Sequence, residues 1–361
     1  MDIVTIIILV FALLGALDRI FGNKFGIGKE FEQGFMLLGT MSLTMIGMIV
    51  ISPLIADFMR PVSAFVSDAL HIDSSIIPAS LFANDMGGAP LAVDMAQNEK
   101  LGLFNALVIS SMMGCTVSFT IPFALGMVKK EQHRELLLGL LCGVVTIPVG
   151  CFVSGIFYGL PLVALIINLL PLVIFSVIIA IGLILSPDLC VKIFKVFGVF
   201  IKVLITVGLA LGVAEFLLDR EIIKGLATFE EGVMVCANAA VVLAGAFPFM
   251  YIVSKLLKKP LNALGKRIGI DEYSALGILA TIVTSATSFG MMDRMNKKGT
   301  MLNSAFAVSG AFIFGSHLAF TLAFDETMLV PVLLGKVVSG VAALVVANII
   351  FNKIYKSKEM Q

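Results

Sequence analysis

Apolar residues in this chain come in long uninterrupted runs, and polar residues are confined mostly to the short stretches between them. Nine runs reach the length of roughly 20 residues that crosses a bilayer core as a helix. They are residues 3–22, 34–56, 101–127, 136–157, 160–185, 193–217, 232–256, 300–324 and 329–352. The pattern therefore predicts an all-α polytopic membrane protein with nine full spans.

Two further apolar stretches, residues 76–93 and 273–292, are interrupted near their middles. Residues 84–90 read Asn-Asp-Met-Gly-Gly-Ala-Pro, and residues 284–290 read Thr-Ser-Ala-Thr-Ser-Phe-Gly. Each arm has about 8 residues, or about 12 Å of helix, which reaches the middle of a bilayer and no further. We therefore expect two re-entrant pairs of half-helices.

The distribution of basic residues favours re-entrance over crossing. With both interrupted segments re-entrant, 19 of the 25 Lys and Arg residues fall on one face and four on the other. Cytoplasmic loops carry the excess of basic residues, so the N-terminus is predicted outside and the C-terminus in the cytoplasm. Crossing segments would instead put the basic stretches 258–259 and 297–298 on opposite faces. The first run has no preceding basic residue and is read as a retained span.

Several landmarks recur 198 to 201 residues further along the chain. Asp18, Gln33, Asp73, Asp94 and Asn105 have counterparts in Asp219, Glu231, Asp271, Asp293 and Asn303, and the match at Asp73 extends over His71 and Ile72. A duplication accounts for this spacing, with repeat 1 at residues 1–158, a linking span at 159–190 and repeat 2 at 191–361. The extra span inverts the second repeat. Inverted repeats of this kind are typical of transporters, whose substrate sites lie where the repeats meet.

Composition excludes several other classes of protein. Hydrophobic residues make up 59% of the chain and charged residues 14%, and the mean hydropathy is +1.06. A net charge of +1 offers no basic face for nucleic acid. The five cysteines are scattered without C-x-x-C spacing, so neither a disulfide framework nor a zinc site is expected. Neither G-x-S-x-G nor H-E-x-x-H occurs, and we predict no enzyme activity and no cofactor.

Asp85 is the main candidate for substrate binding. It stands at the break beside Asn84, and irregular backbone at this depth is tolerated only where it is buried in protein or lines a water-filled cavity. A charge at the bilayer centre costs at least about 2.5–3.5 kcal/mol on insertion scales. The carboxylate and the open carbonyls of the first arm together favour a cationic ligand. A hinge or a packing notch is the alternative interpretation of this break.

The second break supplies hydroxyl groups without charge. They belong to Thr284, Ser285, Thr287 and Ser288. These groups can exchange hydrogen bonds with a small polar ligand, or each can bond back to its own helix. Asn105 and Asn303 occupy related positions near the start of two spans, where they either contact the ligand or link each span to the neighbouring arm.

His317 lies deep in the predicted span 300–324, where the related position of the first repeat is Phe119. A single histidine in an apolar helix serves either as a hydrogen-bonded packing residue or as a proton-coupling group. Lys202 and Lys336 also lie within predicted spans. Each can extend its amine toward the membrane surface, and Lys336 can alternatively pair with an acidic group.

The chain resembles the ethanolamine transporters of bacterial ethanolamine-utilisation operons over essentially its full length. The resemblance is carried by residues 32–35 (Glu-Gln-Gly-Phe), 83–88 (Ala-Asn-Asp-Met-Gly-Gly) and 284–290. It implies an inner-membrane permease that imports ethanolamine for breakdown by a cobalamin-dependent lyase in a microcompartment. Ethanolamine joins an ammonium and a hydroxyl by two carbons, which suits an anion at one break and hydroxyl groups at the other.

The predicted function is therefore import of ethanolamine at a mid-membrane site between the two re-entrant segments, with the lipid bilayer as the surrounding partner. A channel-like pore for a small polar or cationic solute is the alternative, because two half-helices meeting in the membrane also describe a pore. The sequence leaves the oligomeric state open, with a homo-oligomer as one option.

Overall fold

The computed structural model describes residues 3–70 and 72–359, and within them every regular element is a helix. The α-helices are α1 (Ile3–Ile20), α2 (Ile27–Leu70), α3 (Ile76–Leu81), α4 (Gly88–Met95), α5 (Glu99–Phe104), α6 (Ile121–Met127), α7 (His133–Phe157), α8 (Leu162–Leu185), α9 (Pro187–Leu218), α10 (Phe229–Ile268), α11 (Glu272–Val283), α12 (Ser285–Gly290), α13 (Lys297–Ser309), α14 (Ser316–Phe324) and α15 (Leu329–Glu359). Between α5 and α6 the chain forms π-helical turns at Asn105–Gly114 and Thr116–Thr120. His71, one of the repeat landmarks, lies outside the described residues.

Seven helical stretches within the described residues are long and apolar enough to cross a membrane. They are Ile27–Pro61, Glu99–Met127, Lys130–Phe157, Leu162–Leu185, Lys192–Leu218, Phe229–Pro260 and Glu326–Tyr355. This agrees with a multi-pass membrane protein, but two of the nine predicted spans are not among the seven. The first is α1, with 18 residues. The other, predicted as one continuous span at 300–324, is divided into α13 and α14 by an unwound stretch at residues 310–315.

The two longest helices continue through prolines. Helix α2 has 44 residues and includes Pro53 and Pro61, while α10 has 40 residues and includes Pro248 and Pro260. The sequence also predicts separate amphipathic surface helices at 61–71 and 260–268. The described part of the first, residues 61–70, and the whole of the second instead continue α2 and α10 without a break. A proline removes one backbone hydrogen bond of the helix, and the packing of α2 against α10 outweighs that loss. At about 1.5 Å per residue, each helix is longer than a bilayer core is thick.

The two interrupted segments are helix–break–helix hairpins whose ends meet. In the first, the Asp73 carboxylate before α3 accepts the backbone N–H groups of Gln97 (3.1 Å) and Asn98 (2.8 Å) after α4. In the second, Asp271 before α11 accepts the backbone N–H of Asn296, beyond α12. The aspartates and the asparagines that they bind are each 198 residues apart. The two hairpins are thus closed by the same contact at positions related by the repeat spacing.

Helices α7, α13 and α15 approach one another closely through small residues. A Cβ atom on Gly150 of α7 would lie 2.3 Å from the carbonyl oxygen of Gly335 in α15, so only glycine fits there. The Ser154 hydroxyl donates to the carbonyl of Pro331 (2.8 Å) along the same interface. Small residues of this kind allow membrane helices to pack backbone to backbone. This packing places α15 against α13 and against the π-helical stretch after α5.

Candidate functional site

The tip of the first hairpin presents Asp85 in a short turn of 3-10 helix between α3 and α4. The turn depends on Gly87, whose φ of +88° is left-handed and whose added Cβ would lie 1.8 Å from Met48 Cγ. Side chains from the π-helical stretch satisfy the opened backbone. The Ser110 hydroxyl donates to the Phe82 carbonyl (2.5 Å), and the Ala83 N–H donates to the Ser118 hydroxyl (3.1 Å). The break is therefore stabilised by specific hydrogen bonds and by Gly87, and it holds the carboxylate in place.

The second hairpin breaks at Thr284, whose backbone is extended (φ −155°, ψ 129°) between α11 and α12. Carbonyls at the end of α11 are taken up by the unwound stretch between α13 and α14. The Phe312 N–H donates to the Thr281 carbonyl (3.1 Å), and the Phe314 N–H donates to the Ile282 carbonyl (2.9 Å). The unwound stretch thus satisfies backbone groups next to the second break, as irregular backbone away from water requires.

A chain of buried polar contacts runs from Asp85 into the protein. His317 Nε2 lies 3.7 Å from Asp85 Oδ1, and His317 Nδ1 lies 3.1 Å from Lys336 Nζ. Lys336 Nζ also donates to the Ser111 carbonyl at 2.9 Å. A lysine ammonium can only donate hydrogen bonds, so Nδ1 accepts and the ring proton is at Nε2, facing the carboxylate. The imidazole therefore stands between one acidic and one basic side chain.

Burial distinguishes the two ends of this chain of contacts. The His317 side chain is 2% exposed and the Asp85 side chain 16% exposed, while Lys336 as a residue is 1% exposed. The Phe312 ring, whose residue has a φ of +61°, packs on the imidazole with a centroid separation of 4.9 Å. A phenylalanine in the left-handed region is unusual and costs conformational energy that the surrounding packing must offset. Asp85 is thus the member of the chain most accessible to a ligand.

A cavity of about 760 Å³ reaches Ser316, although Asp85 itself is not among the residues that line it. Its walls, formed largely by α2, α10 and α11, are mostly apolar, and Thr284, Thr287 and Ser316 contribute hydroxyl groups at one end. Ser316 lies next to the Asp85 carboxylate. The other end carries Lys255 and Lys258 together with acidic and amide side chains of α2. The cavity leads from a charged surface to the second break and to the end of the unwound stretch.

Not all of the predicted site residues face this cavity. Asp85 adjoins it through Ser316, and Thr284 and Thr287 line it. Ser288 instead donates to the Asn303 side-chain carbonyl (3.0 Å), and Asn303 donates to the Ser274 carbonyl (2.9 Å). Asn303 therefore ties α13 to both arms of the second hairpin, which is the linking role considered for it from the sequence.

Asn105, 198 residues before Asn303, also makes contacts within the protein. Its side-chain nitrogen donates to the Ser75 hydroxyl at 2.8 Å, and its oxygen accepts from Asn168 at 2.7 Å. Asn84 and Ser285, at the two breaks, are buried with side-chain polar atoms that have no hydrogen-bond partner among the described residues. Neither residue is among those lining the cavity.

Lys336, Ser316 and Phe312 were missed as site residues. The sequence offers two roles for Lys336, extension toward the membrane surface or pairing with an acidic group, and the available signal is an apolar run around a single lysine. The pair of glycines at 310 and 315 marks the unwound stretch, but the apolar residues between them conceal it from a search for spans. No sequence signal brings Lys336 to His317, because that contact depends on the packing of α15.

Comparison with known proteins identifies the family. The model of the family described as "Ethanolamine utilisation protein, EutH" matches residues 1–350. The chain belongs to the EutH family. The family predicted from residues 32–35, 83–88 and 284–290 is thereby confirmed.

Individual EutH relatives agree over nearly the whole length. The chain is 38% identical to the "Probable ethanolamine permease EutH" of Listeria monocytogenes serotype 1/2a over 99% of this chain and 96% of the relative. It is 35% identical to the protein of the same name from Salmonella typhimurium over 98% and 96%. It is also 36% identical to "Uncharacterized protein YxeR" of Bacillus subtilis over 96% and 94%. No solved structure matches the chain.

Proposed function

We propose that this EutH-family chain is a permease of the bacterial inner membrane that carries ethanolamine into the cytoplasm. The observation that carries the proposal is the Asp85 carboxylate, held at a helix break beside a cavity whose nearby surface carries hydroxyl groups. The Listeria and Salmonella relatives are named probable ethanolamine permeases, which supports the same substrate.

The substrate contacts follow from the chemistry of ethanolammonium. Its ammonium would bind the Asp85 carboxylate, because a cation offsets the cost of holding that charge away from water. Its hydroxyl, two carbons away, would exchange hydrogen bonds with Thr284, Thr287 or Ser316. Hydrogen bonds to a charged group contribute about 1.5–3 kcal/mol and neutral ones about 0.5–1.5 kcal/mol. Asp85 would therefore provide most of the affinity, and the hydroxyls would provide selectivity.

The hairpin geometry supports re-entrant segments in the membrane. Because Asp73 binds Gln97 and Asn98, the two ends of the first segment cannot lie on opposite sides of a bilayer about 30 Å thick. The contact between Asp271 and Asn296 supports the same conclusion for the second segment. Re-entrance would place both breaks, and hence the site, near mid-membrane.

The cavity supports a cytoplasm-open form. Lys255 and Lys258 stand at its charged end and belong to the basic stretches predicted to face the cytoplasm. Inverted repeats would supply the complementary outward-open form by exchanging the conformations of the two halves. A homo-oligomer stays an open prediction.

Transport by purified protein in liposomes tests the function. We expect saturable uptake of labelled ethanolamine that is stimulated by unlabelled ethanolamine on the opposite side, because a carrier returns faster when loaded. Protein-free liposomes provide the background. Unsaturable flux without this counterflow would support a pore, and uptake no faster than the background would contradict the proposed substrate.

A further inference from the structure

Lys336 places a basic side chain in the interior without access to the surface. It is 1% exposed, and its ammonium contacts the Ser111 carbonyl and the His317 ring. The alternative considered from the sequence, in which its amine reaches the membrane surface, does not apply to this position. An interior ammonium is costly unless an anion compensates for it. The Asp85 carboxylate, beyond the imidazole, is the acidic group that faces it.

The titratable groups around Lys336 come from four elements. His317 belongs to α14, Asp85 to the tip of the first hairpin, Cys115 to the helical stretch after α5, and Cys151 to α7. The two thiols are uncharged when protonated. With Lys336 protonated, His317 neutral and Asp85 ionised, the site has no net charge.

A substrate ammonium at Asp85 would upset this balance. It would add a second positive charge to an interior site that has one carboxylate, and the low dielectric there makes an unbalanced charge unfavourable. Loss of one proton from Lys336 restores neutrality. We propose that ethanolammonium and this proton compete for the site, so that the chain exchanges one substrate cation for one proton. The inference rests on the proposed function and adds the coupling ion to it.

The polar contacts provide a route for the proton. One N–H bond of Lys336 Nζ breaks as a bond forms between that proton and His317 Nδ1, and the proton on Nε2 leaves to water in the cavity, past Ser316. Lys336 is then a neutral amine, and the imidazole is again neutral with its proton on Nδ1. Substrate binding outside would release a proton outside. Substrate release inside would return a proton from the cytoplasm, so that each cycle moves one cation in and one proton out without net charge.

The test measures which gradient drives uptake into liposomes in sodium-free buffer. For the unaltered protein we expect an acidic interior to drive about tenfold accumulation per pH unit, with no response to a potassium diffusion potential. Diffusion of the neutral amine approaches the same final ratio, so initial rates are compared and the rate in protein-free liposomes is subtracted. Lys336→Gln has no proton to exchange. We therefore expect its uptake to ignore the pH gradient and to follow an inside-negative potential, which at 100 mV drives about 50-fold accumulation of a single charge.

Lys202→Gln is the matched control, because Lys202 lies within α9 with an exposed side chain and should leave the exchange unchanged. Uptake by the unaltered protein that follows the potential and ignores the pH gradient would overturn the exchange, whether or not Lys336→Gln can be purified. If uptake by Lys336→Gln responds to the same gradient as uptake by the unaltered protein, Lys336 is not the group that exchanges the proton. If the unaltered protein shows no saturable uptake, the proposed function fails as well.

Discussion

Asp85 shows how far a single residue can be interpreted from the sequence. The sequence predicts a carboxylate at a break in an apolar segment, and the structure places it in a turn that requires Gly87. Its surroundings could not be predicted in the same way. His317 and Lys336 lie more than 200 residues further along the chain, and only helix packing brings them to Asp85.

The first prediction removes the charge of Asp85 and keeps the shape of the side chain. Asp85→Asn should weaken ethanolamine binding by about 1.5–3 kcal/mol, because it removes the charge-assisted contact with the ammonium. This corresponds to about 10- to 150-fold in affinity. Half-saturation for uptake and competition by unlabelled substrate measure the effect.

Asp94→Asn is the matched control for this experiment. Asp94 lies on α4 of the same hairpin with an exposed side chain, so its replacement should leave half-saturation unchanged. Unchanged half-saturation and rate in Asp85→Asn, at equal protein levels, would assign the carboxylate to the scaffold.

The second prediction separates two neighbouring hydroxyl groups on α12. Thr287 lines the cavity, whereas Ser288 is buried and donates to Asn303. Thr287→Val should weaken ethanolamine binding by about 0.5–1.5 kcal/mol. It should also reduce the difference in affinity between ethanolamine and ethylamine, which lacks the hydroxyl. Ser288→Ala should leave that difference unchanged and should lower the thermal stability. Competition by both amines measures the selectivity. If Ser288→Ala changes the selectivity and Thr287→Val does not, the substrate does not bind in the cavity.

At the scale of elements, polar interruptions were recognised more easily than apolar ones. The hairpin breaks carry Asp, Asn, Gly or hydroxyl residues, so the pattern of residues 84–90 and 284–290 predicts them. The unwound stretch at 310–315 contains mainly apolar residues between two glycines, and hydropathy alone makes it part of a continuous span. Its backbone partners are carbonyls of α11, which belong to a different part of the chain.

The third prediction tests whether the first break is required. Gly87→Ala should cost about 1–2 kcal/mol for a left-handed alanine and about 1–3 kcal/mol for the contact forced on Met48. We expect a lower unfolding temperature in detergent and reduced uptake.

Gly126→Ala is the control for the third prediction. Gly126 lies in α6 with no heavy atom within 4 Å of an added Cβ, and alanine there should be neutral or slightly stabilising. A Gly87→Ala protein with unchanged stability and uptake would show that the turn tolerates a different backbone.

At the scale of the whole molecule, the fold class followed from hydropathy, and the number of spans did not. Length and apolar composition predict helices, but they cannot show that α2 and α10 continue through Pro61 and Pro260. The repeat spacing identified Asp73 and Asp271, which close the two hairpins by equivalent contacts. The inverted relation of the two halves stays a prediction, because it concerns their orientation in a bilayer.

The fourth prediction concerns that orientation and uses single cysteines at exposed positions. Glu99 follows the first hairpin and Lys297 follows the second, and both are exposed. If both hairpins are re-entrant and the basic face is cytoplasmic, Glu99→Cys should react with an impermeant thiol reagent added to intact cells. Lys297→Cys should react only after the membrane is opened. Asp57→Cys and Lys258→Cys, on the near side of each hairpin, provide the matched references. All four variants are made with Cys190→Ala, because the other native cysteines are buried.

If one hairpin crosses the membrane, its cysteine and its reference cysteine would react from opposite sides. If all four cysteines show the opposite accessibility, both hairpins are still re-entrant and the protein has the reverse orientation in the membrane. The first outcome would remove the physical basis for a site at mid-membrane, since a segment that crosses no longer places its break between two half-helices entering from one face.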